Sequence, residues 1–217
     1  MSIVAPAYEV LRERLREDII SGVIEPGSRL TIGEVSDRFG TSHMPVREAF
    51  QWLQGEGLVR ILPHKGVRVL DVDVKFVANI FDIRSAIEEL LARRSAGCMD
   101  QASLAHARAL NDRIRDCAQA GELRYNFDLD RDFHATIYAR ADNDEALEIF
   151  SKYSNIILAL RRHYGFGPGR VEETVREHDH LLEAVADGDA GMAARIAKDH
   201  KTVAKDDLIA LMTGAAG

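Results

Sequence analysis

The spacing of apolar residues predicts a mainly α-helical protein that changes character once, near residue 70. Before that point, three short amphipathic segments precede two β-rich runs, "LVRIL" and "VRVL", which flank the turn "PHKG". Such runs around a glycine-containing turn predict a β-hairpin. After that point every segment has a helical period, and Gly, Asp and Asn breaks divide it into six predicted helices: roughly 74–97, 101–119, 123–140, 144–163, 171–187 and 190–212.

The boundaries of the first three helices follow from residues that start or stop helices. The first covers about residues 8–21, and "EPGSRL" after it is predicted to be a turn. Thr31 and Glu34 have the spacing of a capping box, which begins a short second helix. Ser42 is expected to cap a third helix, because Pro45 is tolerated only in a first turn. Three helices followed by a hairpin predict a winged helix-turn-helix domain with a two-stranded β-wing.

The distribution of charge supports a division into two domains. Of the chain's residues, 19 of 28 basic and 26 of 35 acidic ones follow residue 70, so the first part is neutral and the second carries the whole net charge of −7. Parts with different charge are expected to have different partners. The predicted domains are therefore a DNA-binding domain, 1–72, and an all-α six-helix bundle, 73–217.

The sequence also indicates the cellular compartment in which the protein is expected. No apolar run approaches the roughly 18 residues of a membrane span, and the N-terminus lacks the pattern of a signal peptide. Only two cysteines occur, Cys98 and Cys117, and they form no CxxC motif. A cytoplasmic protein with no membrane partner is the expectation.

The first turn of the third helix is the predicted DNA-reading surface. In a helix-turn-helix, that turn points into the major groove. Arg47 can bond a guanine edge or a phosphate, and the tip of the hairpin can reach the adjacent backbone or minor groove. In the alternative interpretation, Ser42 is only a cap and Arg47 pairs with a surface acid. The candidate DNA-binding residues are Ser42, His43, Met44, Arg47, His64, Lys65 and Gly66.

Polar residues interrupt the apolar stripes of the predicted bundle. Asp130 and His134 lie four apart on a face with Leu123, Phe127 and Ile137, while His178 and His200 occupy similar core-facing positions. Buried groups of this kind need partners. A divalent metal ion would satisfy all four, although a single core histidine is more often simply hydrogen-bonded. The predicted ligands of one ion per chain (zinc, nickel or manganese) are Asp130, His134, His178 and His200.

Two arginines are candidates for binding a small anion near that metal. Arg84 interrupts the stripe formed by Val77, Ile80 and Leu91, and an arginine facing a cavity can hold a carboxylate bidentately. The alternative for Arg84 is a surface pair with Glu88. Arg161, in "LALRRHY", is the second candidate, with a solvated helix face as its alternative.

The N-terminal motifs resemble those of a known family. "SGVIEPGSRLTIGEVSDRFGTSHMPVREAFQWLQGEGLVRILPHKGVRV" resembles the DNA-binding domain of GntR-type bacterial transcription regulators, through SG-x-x-x-PG-x-x-L, G-x-S-x-x-PVREA and a glycine-tipped wing. The family usually has arginine at the position of His43. The resemblance therefore implies a different base preference at that contact.

The C-terminal segments extend the resemblance. "DRDFHATIYARADNDEAL" and "EHDHLLEAVADGDAGMAARIAKDH" resemble the helical FCD effector domain of the FadR subgroup. Many members hold a metal through D-x-x-x-H and two later histidines, which implies the same four ligands here. An arginine in R-x-x-(I/L)-E lines the effector pocket of similar proteins, which implies that role for Arg84.

Together these features predict a transcription regulator rather than an enzyme. We expect a homodimeric repressor that binds two-fold related operator half-sites, and a small carboxylate effector that changes the relative pose of the two recognition helices. Whether it represses or activates is left open. One alternative is a metal sensor in which the ion is the signal. The other is a metal-dependent hydrolase, which would need a general base near the metal; the nearest acid in sequence, Asp132, faces away from Asp130 and His134.

Overall fold

The computed structural model describes residues 7–122 and 126–215, and the chain divides into two compact units between Asp73 and Val74. The first unit contains α1 (Ala7–Ile20), β1 (Arg29–Leu30), α2 (Ile32–Phe39), α3 (His43–Gly55), β2 (Val59–Leu62) and β3 (Gly66–Val69). The second contains α4 (Val74–Ser95), α5 (Gln101–Ala120), α6 (Asn126–Tyr138), α7 (Asp144–Tyr164), α8 (Arg170–Ala186) and α9 (Ala190–Thr213). Within the described ranges no helix is long and apolar enough to span a bilayer.

The first unit packs α1 and α2 against α3, with fully buried Leu15, Val46 and Leu53 between them. The predicted hairpin is confirmed as the antiparallel pair β2–β3. The predicted turn "EPGSRL" is partly wrong, because its last two residues form β1 and pair with Arg68 and Val67 of β3. A two-residue strand is too short to show alternation, so only its tertiary partner defines it.

The helix caps of this unit differ in how well they were predicted. Thr31 and Glu34 form the expected reciprocal capping box at the start of α2. Ser42 is the N-cap residue of α3 by position, but its side chain makes no capping hydrogen bond. The predicted capping role of Ser42 is therefore wrong, and its exposed hydroxyl is available to another partner.

The wing depends on the glycine at its tip. Gly66 has a φ of +85°, and a Cβ built on it would lie 2.1 Å from the carbonyl oxygen of Leu30. Only glycine combines this backbone conformation with such a close approach of β1 to β3. Gly66 thus has a structural role whatever it contacts outside the chain.

The second unit is a helical bundle, and the six predicted helices are confirmed to within about three residues at each end. The long helix α4 packs along α9, and α5 packs against both α6 and α8. Its core includes Leu91, Phe133, Ile137, Leu181 and Val185. Leu123, which was predicted to belong to the apolar stripe of α6, lies outside the described residues. Several ionisable groups are buried in this bundle beside the apolar core, and they form its candidate site.

Candidate functional sites

The first turn of α3 is exposed, as a DNA-reading turn requires. Ser42, His43, Met44 and Arg47 all face solvent, and Met44 is 62% exposed despite being apolar. Among the described residues, no hydrogen bond or ion pair engages the side chain of Arg47. The alternative in which Arg47 pairs with a surface acid is therefore not seen, and its guanidinium is free for a partner.

The tip of the wing borders the same surface. His64 and Lys65 are exposed, and a groove between α3 and the β2–β3 hairpin is lined by Arg47, Lys65 and also Arg29. The Arg29 Nε donates to the carbonyl oxygen of Lys65 at 2.6 Å, which ties β1 to the tip. Arg29 was missed by the sequence analysis because it lies in the segment predicted to be a turn.

The four predicted metal ligands come together in the bundle. One ligand atom from each of Asp130, His134, His178 and His200 lies within 4.8 Å of all the others. The Nε2 atoms of His134 and His200 are 3.2 Å apart, and His178 Nε2 lies 3.5 Å from Asp130 Oδ1. The imidazoles are buried, whereas the carboxylate is about one-third exposed. The cluster thus joins α6, α8 and α9.

Hydrogen bonds on the far side of two rings fix where their lone pairs point. Asn111 on α5 donates through Nδ2 to Val175 and Asp179, so its Oδ1 accepts from His178 Nδ1 at 3.1 Å. The carboxylate of Glu177 likewise accepts from His200 Nδ1. Both rings therefore carry their proton on Nδ1 and direct an unprotonated Nε2 into the cluster.

Burial keeps the three imidazoles neutral. Desolvation, reinforced by the Lys201 ammonium, lowers the pKa of His134, His178 and His200 well below the usual 6.5. Neutral imidazole is the form that ligates metals. The rings are also held in place: Phe133 stacks on His178 with ring centroids 3.9 Å apart.

The arrangement fits a divalent ion by two further observations. His178 Nε2 is buried without a hydrogen-bond partner in the described part of the chain, an unfavourable state that a metal–nitrogen bond would relieve. Two nitrogens bound at about 2.0–2.1 Å to one tetrahedral or octahedral ion lie about 2.8–3.4 Å apart. The 3.2 Å between the Nε2 atoms of His134 and His200 falls in this range.

A cavity of about 50 Å³ adjoins the cluster and shares Asp130 and His200 with it. One water needs about 10–15 Å³, so the cavity is large enough to admit a small molecule. Arg84 lines the cavity and is only 5% exposed. Its Nε donates to Glu88 at 2.7 Å and its guanidinium lies over the ring of Phe150, while the described residues offer no hydrogen-bond partner to its two terminal nitrogens. The predicted alternative of a surface pair is half right: the pair exists, but it is buried.

Arg161 also lines the cavity, and its alternative as a solvated arginine is wrong because it is 5% exposed. It contacts Asp207 and donates to the carbonyl oxygens of Gly165 and Ala204 at 3.1 and 2.8 Å. Desolvation is the main cause that lowers the pKa of this guanidinium, and Asp207 opposes it. These bonds tie the end of α7 to α9.

Several further residues of the site were missed by the sequence analysis. Lys201 is 3% exposed, and its Nζ lies 3.2 Å from His134 Nε2 and 3.1 Å from Glu88 Oε2. Arg170 lies in the cavity wall and binds Glu177 through both terminal nitrogens, at 3.1 and 2.8 Å. The detectable signal was polar residues at core-facing helical positions: Glu88, Asn111, Arg170, Glu177 and Lys201.

The remaining histidines and the acid considered as a general base lie elsewhere. His106, His163 and His180 are exposed. Asp132 is exposed and accepts from its neighbour Arg131, so it does not face the cluster.

Comparisons with known proteins agree with the two-part architecture. The model for bacterial regulatory proteins of the gntR family matches residues 7–69, and the FCD domain matches residues 79–202. The transcriptional repressor RspR of Escherichia coli K12 is 31% identical over 187 residues, which cover 85% of this chain and 82% of RspR. The repressor GlaR of the same organism is 25% identical over 195 residues, covering 86% and 88% of the two chains.

A solved structure shows the same fold. Lar, which controls expression of the Listeria monocytogenes agr system, superimposes with a TM-score of 0.74 at 17% identity, covering 94% of this chain and 97% of Lar. The two family matches and the identity to RspR lead to one conclusion. This chain is a DNA-binding transcriptional regulator of the GntR family with a C-terminal FCD domain.

Proposed function

We propose that this protein is a cytoplasmic homodimeric repressor whose affinity for operator DNA is controlled by a small carboxylate bound at a divalent metal in the bundle. The observation that carries the proposal is the convergence of three buried, neutral imidazoles and one carboxylate beside a cavity, whose wall includes Asp130, His200 and Arg84. RspR and GlaR are both transcriptional repressors, which supports repression over activation.

Operator binding is assigned to the exposed turn of α3 and to the wing. Arg47 supplies a fork of donors that has no hydrogen-bond or ion-pair partner among the described residues, and it is suited to a guanine edge or a phosphate. Ser42, His43 and Met44 flank it, and His64, Lys65 and Gly66 present the wing to the adjacent groove or backbone. Ile83 and Leu90, two exposed apolar residues two turns apart on α4, are the contact that we propose with a second copy of the chain.

The metal would be held by Asp130, His134, His178 and His200. Bound there, a divalent ion would supply a Lewis acid for oxygen anions. The chain's own residues do the rest: Asn111 and Glu177 orient two of the imidazoles, and Arg84 offers its terminal nitrogens to a carboxylate. The small cavity volume favours a small effector.

The metal site is tested by elemental analysis of protein prepared without chelators. We expect about one zinc, nickel or manganese ion per chain, and loss of that ion in His134→Ala, His178→Ala and His200→Ala. His180→Ala is the matched control, because His180 lies on the same helix as His178 but is exposed. Protein that holds no ion and takes none up from solution would disprove the site.

Operator binding is tested by gel shift on a sequence that the parent protein selects from random DNA. Arg47→Ala should weaken binding at least tenfold, since each half-site loses ~1–3 kcal/mol. Arg14→Ala, an exposed arginine of α1, should bind like the parent. A drop below about threefold for Arg47→Ala would show that this turn does not read the operator. Titrating metal alone, then carboxylic acids, distinguishes effector control from metal sensing.

A further inference from the structure

The buried charges around the cavity are not balanced pair by pair. Four cationic side chains in its wall are 3–5% exposed, and each contacts a carboxylate. Arg161 forms an ion pair with Asp207, and Arg170 forms one with Glu177. The carboxylate of Glu88, however, serves both Arg84 and Lys201, at 2.7 and 3.1 Å. Glu173 also contacts Arg170, but its half-exposed side chain is screened by solvent.

Arg84, Glu88 and Lys201 therefore form a buried triad with one positive charge in excess. Without a metal, the carboxylate of Asp130 across the cluster balances that charge. A divalent ion bound to Asp130 and three neutral imidazoles would leave one further positive charge there. The metal-loaded cavity then has an excess of two positive charges, which low-dielectric surroundings make costly to leave unmatched.

The two positive centres are adjacent. The Lys201 Nζ lies 3.2 Å from His134 Nε2, the atom that would bind the metal. An ion on that nitrogen removes the acceptor that Lys201 now uses, so one ammonium donor becomes free beside the ion. The cavity also holds the hydroxyl of Ser154, which is buried and has no hydrogen-bond partner among the described residues.

We infer that the metal-loaded cavity selects a small dianion, specifically a short dicarboxylate, and that Lys201 is the residue that recognises its second carboxylate. The inference rests on the proposed metal site and names the class of its effector. One carboxylate of the effector would bind the metal ion, and the other would lie between Lys201 and the terminal nitrogens of Arg84. A monocarboxylate would leave one of the two positive centres without an anion.

Calorimetry with malonate and propionate tests this directly, because both acids have three carbons and differ in one carboxylate. Metal-loaded parent protein should bind malonate at least tenfold more tightly than propionate, and metal-free protein should show no such preference. Lys201→Met should lose most of the preference while keeping its metal, and Lys201→Arg should retain it. Lys198→Met, an exposed lysine of the same helix, is the control.

The outcomes separate the inference from the proposed function. If parent protein holds metal and binds malonate and propionate equally, the inference that the cavity selects a dianion is wrong. A preference that persists in metal-loaded, folded Lys201→Met overturns the role of Lys201. If the protein binds inorganic phosphate tightly and does not bind malonate, the inference that the effector is a dicarboxylate is wrong. Failure to hold metal, or to bind any of these anions, instead disproves the proposed effector site.

Discussion

Glu88 has the least exposed charged side chain among the described residues of the bundle, and its removal gives the sharpest test of the charge arrangement. Its side chain is 0% exposed and accepts from Arg84 Nε at 2.7 Å and from Tyr138 OH and Lys201 Nζ at 3.1 Å. Glu88→Ala leaves two buried cations without their shared counterion. Breaking a buried ion pair costs ~3–5 kcal/mol.

That cost should be visible in metal-free protein, where no ligand adds to the stability. For a chain of this size, 1 kcal/mol shifts Tm by about 2–4 °C, so Glu88→Ala should lower Tm by about 6–20 °C. Urea unfolding followed by far-UV circular dichroism measures the free energy itself. The single tryptophan, Trp52, lies in the other unit, so its fluorescence reports unfolding there.

The neighbouring residue provides the matched control. Glu89 is about one-third exposed and pairs with Arg93 and Lys198 on the surface, so Glu89→Ala should change stability by less than about 0.5 kcal/mol. Adding Lys201→Met to Glu88→Ala should cost less than the sum of the single changes, since the ammonium no longer lacks a partner. Equal stabilities for Glu88→Ala and Glu89→Ala would refute the argument that the two cations depend on Glu88.

Three other predictions follow from the site. Asn111→Leu removes the acceptor for His178 Nδ1, so metal affinity should fall about 10–100-fold in competition with a chelator; an unchanged affinity would mean that Asn111 does not orient the ring. Because burial depresses the pKa of all three imidazoles, the unfolded chain binds protons first. The free energy of unfolding of metal-free protein should therefore decrease as pH falls below about 6.5, with a slope approaching 4 kcal/mol per pH unit. His178→Leu should reduce that slope by about 1.4 kcal/mol per pH unit. Arg84→Ala should weaken binding of the carboxylate effector by ~2–4 kcal/mol, and it should leave operator affinity in the absence of effector unchanged. Calorimetry that shows parent-like effector binding would exclude Arg84 from the pocket.

The sequence by itself determined the helices, their breaks and the hairpin. Helical periodicity also placed Asp130, His134, His178 and His200 on inward faces, because the face of a helix on which a residue lies follows from its position in the repeat. Hence the candidate ligands could be predicted before any contact was known. The exposed first turn of α3 followed in the same way from Pro45 and the flanking apolar positions.

Only the tertiary structure decided which inward groups meet. The sequence analysis gave Glu88 only as a surface partner of Arg84 and did not identify Asn111 or Lys201, because periodicity does not show that three elements far apart in sequence bring their residues to the same cluster. The strand β1 is likewise defined only by its pairing with β3. The structure also shows that the hydroxyl of Ser42 makes no capping hydrogen bond, which its position in the sequence could not show. Charge balance in a buried site depends on distances between such groups. The doubly used carboxylate of Glu88, and the positive excess that results, therefore emerge only when the helices are packed.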